Sequence, residues 1–209
     1  MDALGSTLMV LDYAAVAVFG ASGALAAARK GHDIVTFGFF AAATGVGGGT
    51  LRDLLIGAPV FWVGQPEYLL VCVAPSLVIW LFGWGRRGER MLLWLDALGT
   101  AAYAIVGALK ASSFGVPPVA AVVMGVLTAT FGGVIRDVLA AEPSALLKRE
   151  LTVTPALVGA AAFVALEAMG ITLFPAAAVG FALAFGLRGG AILFGWQLPG
   201  FPGRSPPGP

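Results

Sequence analysis

Long apolar stretches separated by short polar breaks make up almost all of this 209-residue chain. A helix needs about 20 predominantly apolar residues to cross the hydrocarbon core of a bilayer. By that measure the pattern predicts an all-α membrane protein with seven spans, followed by a disordered Pro/Gly-rich tail at 199–209. The spans form a single transmembrane domain over residues 1–198 and lie at Leu8–Ala28, Ile34–Ile56, Tyr68–Trp84, Met91–Leu109, Val116–Leu139, Leu151–Leu166 and Leu173–Leu193.

The chain resembles itself when it is shifted by 84 residues. Over residues 11–59 this shift gives 16 identities in 49 positions without a gap, and it aligns an Asp, an Arg-Asp pair and a Pro in both copies. Each copy holds three spans, an odd number, so the two copies must enter the membrane in opposite directions. The sequence therefore predicts 3+3 inverted repeats at about 8–84 and 91–167, with a seventh helix at about 173–194. Inverted repeats place binding or permeation sites near the bilayer midplane.

Two glycine clusters occupy equivalent places in the repeats: "TGVGGGTLRD" at 44–53 and "TATFGGVIRD" at 128–137. Each Gly in a helix interior costs about 1 kcal/mol relative to Ala. We therefore expect spans two and five to be kinked or unwound there, with bare carbonyl groups lining a cation path. The alternative is close helix packing, since Gly45 and Gly49 also have the small-xxx-small spacing. Because the glycine cluster occurs twice, each time next to an Arg-Asp pair, we favour the cation path over simple helix packing.

Several ionisable residues lie within or at the ends of the apolar spans, where burial is costly unless they pair or face water. We expect one intramembrane pair in each repeat, Asp12 with Arg52 and Asp96 with Arg136. In the alternative, the Arg-Asp dipeptides sit at helix ends and extend toward the lipid headgroups. Asp53, Asp137 and Arg188 complete the set.

Three further polar residues admit two interpretations each. Lys110, after span four, could repel or meter cations at an entrance, or could anchor its helix at the interface. Tyr103 and Thr128 could offer hydroxyl groups to a permeating ion, or could bond within their own helices.

Charge and composition narrow the function and set the orientation. Only 11% of the residues are charged and the net charge is +1, against roughly a quarter charged in soluble domains, so a nucleic-acid partner is not expected. One His, one Cys and no catalytic motif argue against an enzyme, and we expect no cofactor and no tightly bound metal. The positive-inside rule puts the N-terminus outside and the C-terminus in the cytoplasm. On this topology Arg52 and Lys110 lie outside, and the inner side carries Arg29, Lys30, Arg86, Arg87, Arg90, Arg136, Lys148, Arg149, Arg188 and Arg204.

The 3+3+1 arrangement, with "GVGGGTLRD" in span two and "FGGVIRD" in span five, resembles the prokaryotic branch of the trimeric intracellular cation (TRIC) channel family. The resemblance implies a homotrimer in the cell inner membrane, surrounded by lipid, with a pore in each subunit for potassium and also sodium ions. It also implies pore positions at Gly47, Gly48, Gly49, Arg52, Asp53, Gly132, Gly133, Arg136 and Asp137. To these we add Thr44 and Thr128, which stand at equivalent places in the two clusters. A secondary transporter for a small amino acid such as glycine is the alternative, and a non-conducting scaffold is a third.

Overall fold

The structure is a computed structural model that describes residues 3–83, 88–147 and 151–199. Eight α-helices form the fold within these residues, and a short 3-10 turn lies at Ala145–Leu147. In chain order the helices are α1 (Ala3–Lys30), α2 (Ile34–Leu55), α3 (Phe61–Gly64), α4 (Glu67–Phe82), α5 (Gly88–Ser113), α6 (Pro118–Leu139), α7 (Val153–Ala168) and α8 (Leu173–Phe194).

The helices agree with the hydropathy pattern. Seven of them overlap the predicted spans one for one, and α3 is a single turn in the loop after span two. Four are long and apolar enough to cross a membrane, namely α2, α6, α8 and α5 over Arg90–Ser113, while α4 and α7 are shorter apolar helices. The chain is therefore an all-helical membrane protein. The predicted end of span three at Trp84 and the predicted disordered tail beyond Pro199 lie outside the described residues.

Local sequence explains where several helices begin and end. Asp33 caps α2, since its carboxylate accepts the Thr36 backbone N–H at 2.9 Å and the Thr36 hydroxyl at 3.0 Å. These hydrogen bonds lower the pKa of Asp33 because they stabilise the ionised carboxylate. At the other end, α4 and α8 stop at Gly83 and Gly195, both in the left-handed conformation that glycine adopts without strain.

Helix packing follows the repeat. In the first copy α1, α2 and α4 contact one another, and in the second copy α5, α6 and α7 do the same. The two copies meet where α2 packs against α6 and α1 packs against α5, and α8 covers α5 and α7. The helices that carry the two glycine clusters therefore cross at the centre of the subunit.

Candidate functional site

The two glycine clusters meet at the crossing of α2 and α6. A methyl group built on Gly48 would lie 2.2 Å from the carbonyl oxygen of Thr128, and one built on Gly132 would lie 2.5 Å from the carbonyl oxygen of Thr44. Both distances are far inside van der Waals contact, so only glycine allows the two backbones to come this close. The contact is reciprocal, because all four residues are related in pairs by the 84-residue shift.

The other predicted glycines pack against side chains. A methyl group on Gly47 would strike Ile135, and one on Gly49 would strike Phe61, at 2.4 and 2.7 Å. One on Gly133 would stand 3.5 Å from an Asp96 carboxylate oxygen, which is an ordinary contact. Both α2 and α6 run through their clusters as uninterrupted α-helix. The expectation of unwound helices is therefore wrong, because close packing compensates for the low helix propensity of glycine; a bend at these glycines stays a prediction.

Three hydroxyl groups lie near the crossing and behave differently. Thr128 donates to the Met124 carbonyl of its own helix at 2.6 Å, the local alternative left open by the sequence. Tyr103, on α5, donates instead across to the Gly45 carbonyl of α2 at 3.1 Å. The hydroxyl of Thr44 is buried and has no hydrogen-bond partner among the described residues. A buried hydroxyl without a partner is costly, which marks Thr44 as a place where water or a ligand could bind.

The first charge cluster consists of Arg52, Asp53 and Lys110. Arg52 binds its neighbour Asp53 through two nitrogens, at 2.8 Å from Nε and 2.7 Å from Nη2 to Oδ1. The other carboxylate oxygen of Asp53 accepts from Lys110 Nζ at 2.9 Å and from the backbone N–H of Phe61 at 3.0 Å. Arg52 and Asp53 are fully buried, whereas the Lys110 side chain is 27% exposed. Lys110 is therefore the member of the cluster that reaches the surface.

The second charge cluster consists of Asp96, Arg136 and Asp137. Arg136 Nη1 binds Asp96 Oδ1 at 2.8 Å, so the predicted Asp96–Arg136 pair is present. The same nitrogen donates to the Ser22 hydroxyl at 2.8 Å, while Nη2 binds Asp137 Oδ1 at 2.9 Å. One buried guanidinium thus links two carboxylates and joins α1, α5 and α6.

The predicted pair of Asp12 and Arg52 is not formed. Asp12 instead accepts a 2.6 Å hydrogen bond from the hydroxyl of Tyr68 on α4, and Arg52 turns along its own helix to Asp53. The Arg-Asp dipeptides do lie in the last turns of α2 and α6, but neither arginine extends toward the lipid headgroups, since both are enclosed by protein at 2% and 4% exposure. Tyr68 and Ser22 were missed by the sequence analysis. Their only signal was a polar side chain inside an apolar span.

Hydrogen bonds around the clusters repeat with the 84-residue shift. The Phe61 backbone N–H binds Asp53 Oδ2 at 3.0 Å, and the Ala145 backbone N–H binds Asp137 Oδ2 at 2.9 Å. In the loops that follow α2 and α6, the backbone N–H of Ala58 donates to the Asp53 carbonyl and that of Glu142 donates to the Asp137 carbonyl. In both repeats the Asp thus fixes the loop that follows its helix.

A surface ion-pair group lies next to the second cluster. Glu142 accepts a hydrogen bond from Arg29 and pairs with Lys30 at 3.3 Å. A cavity of about 60 Å³ separates this group from Asp96 and Arg136, and Arg188 also lines it. Arg188 donates to the Leu151 carbonyl at 2.9 Å. Among the described residues no group of three or more His, Cys, Asp or Glu side chains could hold a metal ion.

Known proteins resemble this chain over most of its length. The sequence model of a family described as "Glycine transporter" matches it twice, over residues 9–84 and 93–168, and these segments are related by the same 84-residue shift. The UPF0126 inner membrane protein YadS of Escherichia coli is 37% identical over 195 residues, which cover 91% of this chain and 94% of that protein.

Two solved structures share the fold of this chain and are also similar to it in sequence. The TRIC trimeric intracellular cation channel orthologue from Rhodobacter sphaeroides has a TM-score of 0.88 and 45% identity, covering 91% of this chain and 100% of that one. A prokaryotic TRIC channel solved in 0.5 M KCl has a TM-score of 0.85 and 28% identity, covering 92% and 99%. These neighbours are ion channels and not enzymes. By sequence and by fold, this chain belongs to the trimeric intracellular cation channel family.

Proposed function

We propose that this protein conducts monovalent cations, potassium above all and also sodium, through a pore inside each subunit of a homotrimer. The crossing of α2 and α6 carries the proposal, because the reciprocal glycine contacts join the two halves of the chain there, between two buried charge clusters. The likeness to cation channels of the same family supports the proposal.

The path of the ion runs beside the crossing. The backbones of Gly48 and Gly132 already contact the opposite helix, so no ion passes between them. Thr44 lies on α2 at the crossing and has a buried hydroxyl with no partner among the described residues, and we assign it as a contact of the cation. The two charge clusters mark the two ends of this path.

The topology that accompanies this function has seven membrane crossings, as two inverted repeats of three helices and a seventh helix. The recurrence of hydrogen bonds at the 84-residue shift and the double match to the family model support the repeat. The excess of Lys and Arg on one side supports an N-terminus outside and a C-terminus in the cytoplasm. The similarity to the inner membrane protein YadS supports an inner-membrane location.

The trimer and its lipid surroundings follow from the same comparison. The Rhodobacter sphaeroides relative is named as trimeric, and we extend that assembly to this chain. Large apolar side chains are exposed on the single subunit, among them Val35, Leu70, Leu81, Val119 and Phe194. An exposed apolar surface of this kind is covered by lipid or by another subunit.

Planar-bilayer recording of the purified protein under bi-ionic potassium, sodium and chloride conditions tests the proposal. We expect cation-selective single-channel currents far above about a thousand ions per second, the upper range of ordinary turnover numbers. Saturable glycine uptake into proteoliposomes without current would instead support the transporter alternative. A folded protein with neither activity would support the scaffold alternative and contradict the proposal.

Lys110→Gln tests the entrance role of the first charge cluster. A unit charge about 4 Å from an ion is worth about 1 kcal/mol in water, so removing this positive charge should raise potassium conductance roughly fivefold at low salt. The ratio of variant to wild type should fall toward one near 1 M salt, because the screening length shrinks from about 30 Å at 0.01 M to about 3 Å. Single-channel recording of both proteins from about 0.01 M to about 1 M salt measures this ratio of conductances.

Lys110→Arg is the matched control, since it keeps the positive charge at the same position and should leave the conductance within about twofold. If Lys110→Gln leaves the current unchanged at every salt concentration, Lys110 is an interfacial anchor only.

A further inference from the structure

The two charge clusters are related by the repeat, but their surroundings differ at two equivalent positions. Phe61 and Tyr68 flank the first cluster, with their rings edge to face at 4.6 Å. The 84-residue shift places Ala145 and Thr152 at the equivalent positions beside the second cluster. Two aromatic rings in the first repeat are thus replaced by two small side chains in the second.

The replacement leaves Asp96 without the hydrogen bond that its counterpart receives. Asp12 accepts a bond from the Tyr68 hydroxyl at 2.6 Å. Asp96 stands where the shift puts Asp12, yet its only hydrogen bond among the described residues is the one to Arg136 through Oδ1. Thr152, which stands where the shift puts Tyr68, is 6% exposed, and its hydroxyl has no partner in the described part of the chain.

A small polar cavity fills the space that the shorter side chains leave. It measures about 10 Å³, and its lining includes Asp96, Thr100, Thr152, Arg136 and Ala145. That volume is at the lower limit for one water molecule, roughly 10–15 Å³. The cavity shares Asp96, Arg136, Asp137 and Ala145 with the neighbouring cavity of about 60 Å³, so a route for solvent adjoins it.

The chemistry of the lining decides what occupies the cavity. Asp96 offers a free carboxylate oxygen, Arg136 offers at most one remaining N–H on Nη2, and the Thr100 and Thr152 hydroxyls can both donate and accept. Water donates and accepts at once, so it satisfies this mixed set with the two to four partners that a buried water needs. Arg136 faces the cavity together with the Asp96 and Asp137 carboxylates, so the crystals described below separate water from a cation by experiment.

We propose that the second repeat binds one buried water molecule between Thr152 and Asp96, in the place that the Tyr68 hydroxyl holds in the first repeat. This water completes the hydrogen bonding of Thr152 and hydrates the second charge cluster. In the first repeat the rings of Phe61 and Tyr68 stand at the equivalent positions, and the Tyr68 hydroxyl binds Asp12 directly. The two ends of the subunit are therefore chemically unlike despite their common geometry. The proposal holds whether or not the protein conducts ions.

Crystals of the full chain, diffracting to better than about 2 Å and grown separately in sodium and rubidium salts, test the site. We expect one peak within hydrogen-bond distance, about 2.6–3.2 Å, of both Thr152 Oγ1 and an Asp96 oxygen, with no rubidium anomalous signal. An empty cavity contradicts the proposal. A rubidium signal at the peak also contradicts it and identifies a cation instead.

Variants at position 152 separate the water from simple packing. Thr152→Val keeps the shape of the side chain but removes the hydroxyl, so the peak should disappear and the thermal midpoint should fall by about 2–4 °C, the shift typical of a lost hydrogen bond in a chain of this length. Thr152→Ser should keep both the peak and the midpoint. Thr172→Val is the matched control, because Thr172 is exposed and its side chain makes no capping bond. A Thr152→Val protein as stable as the control would overturn the proposal.

Discussion

Replacing Gly48 or Gly132 with alanine is expected to destabilise the protein by about 2–4 kcal/mol, at the upper end of the range for overpacked cores. The added methyl group would lie 2.2 or 2.5 Å from a backbone carbonyl oxygen of the opposite helix. A backbone atom cannot move aside as the end of a side chain can, so α2 and α6 must separate. The gain of about 1 kcal/mol in helix propensity does not offset this. Equilibrium unfolding of the purified protein in detergent measures the loss.

Gly38→Ala is the control on the same helix. A methyl group at Gly38 meets only the end of the Val73 side chain, at 4.0 Å, so this variant should be neutral or more stable by up to about 1 kcal/mol. The double variant at Gly48 and Gly132 should cost less than the sum of the single changes, because the first separation of the helices relieves the second clash. If the Gly48 variant is as stable as the Gly38 variant, the close crossing is not present in the native protein.

The same glycines test the proposed function when they are replaced by leucine. Leu at Gly48 or Gly132 forces the helices apart and fills the space beside the crossing, so we expect the single-channel conductance to be lost. The comparison requires that each leucine variant elutes as a folded trimer on size-exclusion chromatography, like the wild type. An unchanged conductance would mean that these glycines serve packing only.

The helices could be predicted from the sequence because apolar length is a local property. Seven observed helices overlap the predicted spans, four of them long and apolar enough to cross a membrane, and α2 begins at its predicted residue, Ile34. For the glycine clusters the sequence left two alternatives open, a broken helix and close helix packing, and low helix propensity favoured the first. The structure shows close packing, with Gly48 against the Thr128 carbonyl. That contact depends on a partner helix 84 residues away, which propensity alone does not include.

The buried charges show the same limit. Asp96 and Arg136 were paired correctly, but the equivalent pair in the first repeat was wrong, because Tyr68 reaches Asp12 and Lys110 reaches Asp53. Repeat symmetry predicted equal partners in both copies. The copies differ at side chains outside the motif, and those side chains decide which donor each carboxylate receives.

Arg136→Gln is expected to cost about 3–5 kcal/mol of stability, the loss typical of a buried ion pair that is broken on one side. Arg136 is the only cation within 4 Å of Asp96 and Asp137 among the described residues, so its removal leaves two buried carboxylates without a counter-charge. Arg52→Gln should cost less, about 1.5–3 kcal/mol, the range for hydrogen bonds to charged groups. Asp53 then still holds Lys110 at 2.9 Å and the Phe61 N–H at 3.0 Å.

Second substitutions test whether Arg136→Gln costs more stability than Arg52→Gln because it leaves carboxylates without a positive partner. Adding Lys110→Gln to Arg52→Gln strips Asp53 of both cations, which should bring the loss in the first cluster up to that of Arg136→Gln alone. Adding Asp96→Asn to Arg136→Gln removes one of the two orphaned carboxylates, so the double variant should be more stable than the single one. Unfolding free energies of the five proteins, wild type included, measure both effects. Equal losses for Arg52→Gln and Arg136→Gln, with no recovery from Asp96→Asn, would mean that packing of the long arginine stems matters more than their charge.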